Sequence, residues 1–160
     1  MRANAKVVRS TMPDAGPMLD HFDTHFRRVV QRAMTHADRV VVVRQSWFDR
    51  DTPLTAEEAA HMWHGGVGQA WCESVTTYYS IEVTSKLMAL LDARAARVAE
   101  ELDVEQIDLR AILEPSLSTY YDFFHLTPSG ASTVASVVAR VLVREPAEQR
   151  MDRASPRCVA

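Results

Sequence analysis

The chain has 160 residues, and 47% of them are apolar, which is enough to bury the core of one domain and is short for two. The 18 Lys and Arg residues are outnumbered by 21 Asp and Glu, and the net charge of −3 excludes the strongly basic surface of most proteins that bind nucleic acid or anionic lipid. The two cysteines, Cys72 and Cys158, are too few and too far apart for a disulfide framework or a cysteine zinc site.

The polar N-terminus lacks the apolar centre of a signal peptide, and no later stretch has the roughly 18 uninterrupted apolar residues of a membrane span. The chain as written is therefore predicted to be cytoplasmic. A secreted or periplasmic location is the alternative if an export signal precedes it in a longer protein. We assign residues 1–17 to an irregular segment, residues 18–145 to the domain and residues 146–160 to a charged tail.

The first half of the chain predicts a helix and a strand. Residues 18–37 place apolar side chains three and four positions apart, which indicates an amphipathic helix. The four consecutive valines at 40–43 are typical of a strand that is buried on both faces of a parallel sheet. A polar and aromatic loop follows this strand, at the edge of the sheet where α/β proteins bind ligands.

The second half predicts a long crossover, a second strand and a final helix. Residues 49–77 are irregular and include a capping-box pattern at Thr55 followed by a glycine-rich loop. Residues 78–102 predict a long helix, and residues 104–109 predict a strand. Thr127 can then cap a helix that begins at Pro128.

The order of these elements predicts a βαβ unit with two adjacent parallel strands. Two strands alone make a marginal sheet. Either a weak strand at residues 5–9 joins the sheet, or residues that this chain does not contain complete it.

Asp122 and His125 lie three residues apart just before the final helix. A neutral imidazole can take a proton from a hydroxyl nucleophile when a carboxylate holds its other ring nitrogen. One turn of chain would bring the two side chains to the same side, so the pair is a candidate acid and base. The alternative is a surface aspartate beside a histidine that caps a helix.

The stretch DFFHLTPSG, residues 122–130, resembles the last signature block of the SGNH/GDSL hydrolases, in which an Asp-x-x-His pair precedes the final helix. The resemblance extends over roughly residues 19–142. It implies an α/β protein with the three-layer α/β/α flavodoxin-like fold, incomplete at its N-terminal strands. It also implies a serine esterase without cofactor or metal, acting on a small-molecule or saccharide ester, in which Asp122 orients His125 and His125 is the general base.

Other blocks of that family are missing from the chain. It contains no Gly-Asp-Ser and no Gly-x-Asn-Asp, and Asn4 is its only asparagine. Ser46, at the end of the first predicted strand, lacks the context of a nucleophile elbow. We therefore expect the chain to supply only the acid and base, with the nucleophile in a missing N-terminal segment or a second chain. The alternative is a non-catalytic truncated remnant or binding module.

A second cluster of candidate residues surrounds the glycine-rich loop. His61 and His64 could share a zinc ion from one face of a helix, but no recognised third or fourth ligand accompanies them, so we predict no metal. Trp47, Trp63 and Trp71 are predicted to cover the edge of the sheet near the candidate site.

Overall fold

The computed structural model describes residues 5–62, 66–67 and 75–143. It shows a mixed α/β protein, which confirms the predicted class. The elements in chain order are β1 (Val7–Arg9), α1 (Gly16–Met34), β2 (Val41–Arg44), α2 (Ala56–His61), β3 (Thr77–Tyr79), α3 (Ile81–Glu101), β4 (Glu105–Asp108) and α4 (Pro128–Leu142).

The two predicted strands are adjacent and parallel, as expected. The register of β2 and β4 runs from Val41 opposite Glu105 to Arg44 opposite Asp108. A strand also forms near the N-terminus, but β1 pairs in parallel with β3 in a separate two-stranded sheet. Within the described ranges, the β2–β4 sheet therefore has two strands and gains none from residues 5–9.

The start of the long helix differs from the prediction. The apolar spacing predicts a helix from residue 78, whereas Thr77–Tyr79 is a strand and α3 begins at Ile81. Tyr78 is 5% exposed within this strand, where it lies opposite Val8 of β1. Ser80 then caps the helix, because its hydroxyl accepts a hydrogen bond from the N–H of Val83 at 3.3 Å.

Helices pack on both faces of the β2–β4 pair. Val41 packs against a buried cluster that contains Ile107 and residues of α4. Val42, which points to the opposite face because side chains alternate along a strand, packs with Val30 of α1 and Ala99 of α3. The strands are thus held between apolar helix faces, and the carboxyl ends of β2 and β4 lie side by side.

A nearly buried ion pair joins the end of β2 to α3. The guanidinium of Arg44 donates to both carboxylate oxygens of Asp92, at 2.8 and 2.5 Å. The side chains of the two residues are 16% and 9% exposed. This hydrogen-bonded carboxylate raises the pKa of Arg44 above its usual value.

The predicted N-terminal caps of α2 and α4 are confirmed. The Thr55 hydroxyl accepts from the N–H of Glu58 at 3.2 Å, and the Glu58 carboxylate accepts from the N–H of Thr55 at 2.8 Å, which completes a capping box at α2. Thr127 caps α4 through the N–H of Gly130 at 3.1 Å. None of the helices in the described ranges combines the length and apolarity that crossing a membrane requires.

Candidate active site

The candidate site lies in the connection between β4 and α4, in a short loop whose two ends are joined by backbone contacts. Tyr120 and Leu126 form an antiparallel bridge, and the N–H of Thr127 donates to the carbonyl of Thr119 at 2.9 Å. These bonds force residues 121–125 into a tight turn immediately before α4 begins. The predicted acid and base both lie in this turn.

Asp122 is buried and directs its carboxylate into the loop. Its side chain is 2% exposed. Oδ1 accepts hydrogen bonds from the backbone N–H groups of Phe124 at 3.0 Å and His125 at 2.8 Å. This is the local bonding by which aspartate stabilises turns, and it leaves the second oxygen, Oδ2, facing the imidazole of His125.

His125 contacts that second oxygen through Nδ1, at 2.7 Å. An ionised carboxylate only accepts hydrogen bonds, so Nδ1 carries the proton in this arrangement. The lone pair of the neutral ring is then on Nε2, the nitrogen that a general base uses. The His125 side chain is 46% exposed, so a buried acid holds an imidazole that reaches the surface.

Two aromatic rings flank this imidazole. The Tyr121 ring lies parallel to it, with centroids 5.5 Å apart and an angle of 10° between the planes. The Phe124 ring is tilted by 43° with its centroid at 4.3 Å. Both aromatic residues are partly exposed, at 48% and 37%. A molecule that approaches His125 therefore meets aromatic surface on the same loop.

Ser46 does not supply the nucleophile. It is 0% exposed. It lies beside the buried phenol of Tyr120, whose pKa is raised by burial. A serine enclosed in the core cannot meet a substrate, and the sequence around Ser46 likewise lacks a nucleophile elbow.

The loop after β2 connects the candidate site to a cleft. The N–H of Phe48 donates to the carbonyl of Phe123 at 2.6 Å, so the backbones of the two loops are joined. Phe48 also lines a cleft of about 530 Å³ whose walls include Leu54, Ile81 and Lys86. This cleft is mainly apolar with a few charged groups, as binding sites for small molecules usually are.

The second predicted cluster has a different arrangement. His61 is exposed, and its Nδ1 lies 3.1 Å from the carbonyl oxygen of Tyr121. The described residues do not include His64, Cys72, Trp63 or Trp71.

Trp47 is a core residue, 2% exposed, with the Arg110 guanidinium 4.0 Å above its ring. In the ranges 5–62, 66–67 and 75–143, no three His, Cys, Asp or Glu side chains are grouped so that they could hold a metal ion.

The arrangement of Asp122 and His125 is suited to proton transfer. The carboxylate fixes the tautomer and the direction of the ring and can stabilise the imidazolium that forms when Nε2 takes a proton. Sequence reasoning identified both residues. The contact of His61 with Tyr121 was not predicted, because no local pattern connects residues that are 60 positions apart.

Comparison with known proteins adds no relative. No protein-family model, no curated protein and no solved structure matches this chain.

Proposed function

We propose that this chain supplies the acid and base of a serine ester hydrolase of SGNH/GDSL type. The observation that carries the proposal is the contact between Asp122 and His125, in which a buried carboxylate with two backbone donors holds Nδ1 of a half-exposed imidazole at 2.7 Å. The substrate is a small-molecule or saccharide ester, and the serine belongs to another segment or chain.

The proposed reaction proceeds in two proton-coupled steps. His125 Nε2 takes the proton of the serine hydroxyl as its oxygen attacks the ester carbonyl carbon, and Asp122 stabilises the imidazolium. The tetrahedral intermediate breaks its bond to the alcohol oxygen, which receives the proton from His125, and an acyl-enzyme remains. Water, deprotonated by His125, then attacks the acyl-enzyme, and the serine regains its proton as the acid leaves.

The strand arrangement supports a larger flavodoxin-like sheet of three layers. Parallel sheets are normally covered on both faces and contain more than two strands. Val43, in the middle of the β2 segment, is 44% exposed, although a central strand of such a fold would bury it. We propose that further strands, from an N-terminal segment or a second chain, complete the sheet beside β2 and bring the serine to its carboxyl edge.

Hydrolysis of p-nitrophenyl acetate tests the proposal. The chain alone is expected to be nearly inactive, and the chain extended by in-frame upstream residues with a Gly-Asp-Ser block is expected to be active. His125→Ala should lower the activity of the extended protein by ~10³-fold or more, as loss of a triad base does. His36→Ala, which changes an exposed histidine at the end of α1, is the matched control.

Two results would count against the proposal. An extended protein that keeps full activity after His125→Ala would show that the dyad is structural. An upstream reading frame without any nucleophile block, together with inactivity of the chain in the presence of its cellular partners, would favour the non-catalytic binding module.

A further inference from the structure

The C-terminal end of α2 contacts the loop that carries Asp122 and His125. His61 is the last residue of α2, and its Nδ1 lies 3.1 Å from the carbonyl oxygen of Tyr121. A carbonyl oxygen only accepts, so Nδ1 of His61 carries the proton and donates it. His61 is exposed. A single exposed hydrogen bond contributes little to folding, so overall stability gives little reason for a histidine here.

Tyr121 in turn contacts His125 twice. Its N–H donates to the carbonyl oxygen of His125 at 3.1 Å, and its ring stacks on the imidazole. Because Tyr121 is 48% exposed, burial does not hold its ring in place. Its position depends on the closed turn around it and on the hydrogen bonds of its own backbone, one to His125 and one to His61.

The short helix that carries His61 is firmly anchored. Met62, the next residue, is 1% exposed in the core. Glu58, one turn earlier, is buried and bonded to the N–H of Thr55 and to the guanidinium of Arg50. The exposed His61 imidazole is thus held at the loop by neighbours that cannot move without opening the core.

From these contacts we infer that His61 is a positioning residue, which holds Tyr121 against the His125 imidazole and so keeps Nδ1 directed at Asp122. The hydrogen bond fixes the Tyr121 peptide, the peptide fixes the ring, and the stacked ring restricts rotation of the imidazole. A stacked aromatic pair adds a favourable interaction beyond the area that it buries, and this biases a side chain that is only half buried. The effect of this restraint on catalysis rests on the function proposed above. The restraint itself is independent of that function.

NMR of the chain as it exists provides a test that needs no activity. The exchange rate of the His125 Nδ1 proton with water reports how often the ring leaves Asp122. His61→Leu removes the donor and is expected to raise this rate about fivefold, the equivalent of about 1 kcal/mol. His61→Gln keeps an N–H donor and is expected to stay within about twofold of the parent. His25→Leu, at an exposed position on α1, is the control and should change nothing.

A second variant separates the ring from the backbone. Tyr121→Leu keeps the carbonyl that accepts from His61 but removes the stacked ring, and it should raise the exchange rate as His61→Leu does. An unchanged rate in both variants would overturn the inference, as would equal effects of His61→Leu and His61→Gln. Circular dichroism is expected to show the same helix content in every variant.

Kinetics of an extended, active protein distinguish this inference from the proposed function. His61→Leu should lower kcat about fivefold with KM unchanged, and His61→Gln should restore it. If the NMR effect is present but His125→Ala leaves the esterase intact, the proposed function fails and the positioning contact stands. If His125→Ala abolishes activity but His61→Leu changes neither kcat nor proton exchange, the function stands and the positioning role fails.

Discussion

A Cβ atom added at Gly130 would lie 2.3 Å from the carbonyl oxygen of Thr119. That oxygen also accepts the N–H of Thr127 at 2.9 Å, so it belongs to the base of the loop that holds Asp122 and His125. The first turn of α4 therefore lies so close to the closed end of this loop that position 130 has no room for a side chain. Gly130 is required here by lack of space.

Gly130→Ala is expected to destabilise the protein by about 1–3 kcal/mol, the usual cost of forcing a methyl group into a packed site. Chemical denaturation monitored by circular dichroism would measure it. Gly16→Ala is the matched control, because its Cβ would meet only the Asp14 side chain at 3.2 Å at the exposed start of α1. Equal stability of the two variants would show that the loop can shift away from α4.

Adjacent phenylalanines in the candidate loop should respond differently to truncation. Phe123 is 0% exposed in the main core, whereas Phe124 is 37% exposed. Phe123→Ala should lower the free energy of unfolding by about 3–5 kcal/mol. Phe124→Ala should lower it by less than about 1 kcal/mol. Urea unfolding of both variants tests this difference, and a large loss in Phe124→Ala would mean that the loop packs differently.

Ser46→Ala should be tolerated. The serine hydroxyl is fully buried beside the phenol of Tyr120, and the loss of one contact between two neutral hydroxyls costs little. The melting temperature is expected to stay nearly the same, with a change in stability within about 1 kcal/mol. An extended, active protein should keep its esterase activity in this variant. Loss of activity without loss of stability would show that Ser46 takes part in catalysis.

Asp122→Asn should separate folding from catalysis. The amide oxygen can still accept the backbone N–H groups of Phe124 and His125, so the loop is expected to stay closed. The amide N–H₂ group, however, would donate to Nδ1 and move the imidazole proton to Nε2, the wrong tautomer for a base. In an extended, active protein kcat should fall by roughly 10³–10⁴-fold. Asp51→Asn, at an exposed position, should leave kcat unchanged.

Glu58 should contribute a pH-dependent part of the stability. The N–H of Thr55, helped by Arg50, holds the pKa of the Glu58 carboxyl below its ordinary value of 4.5. Because the pKa of Glu58 is lowered in the folded state, the ionised carboxylate stabilises the fold above pH 4.5. This stabilisation is lost as the pH falls through the folded-state pKa. The difference in unfolding free energy between the parent and Glu58→Gln should therefore shrink on acidification. Glu57→Gln, at the exposed neighbouring position, is the matched control.

Local sequence determined most of the elements. The Thr55 capping box, the Thr127 cap and the valines of β2 were readable because each signal depends on contacts within a few residues. The same logic placed Asp122 and His125 within reach of each other, since a turn of three residues can bring two side chains together. Their chemistry was proposed on that basis and on the resemblance of residues 122–130 to a known signature.

Only the tertiary structure decided the contacts between distant segments. Residues 78 and 79 were predicted to begin the long helix, and pairing with β1 makes them part of a strand instead. Ser46 follows a strand, and only its packing beside Tyr120 shows that it is enclosed in the core. The contact of His61 with Tyr121 joins residues 60 positions apart. Such contacts depend on how whole elements pack, and the free energy of that packing comes from burial shared among many residues, which no short stretch of sequence encodes.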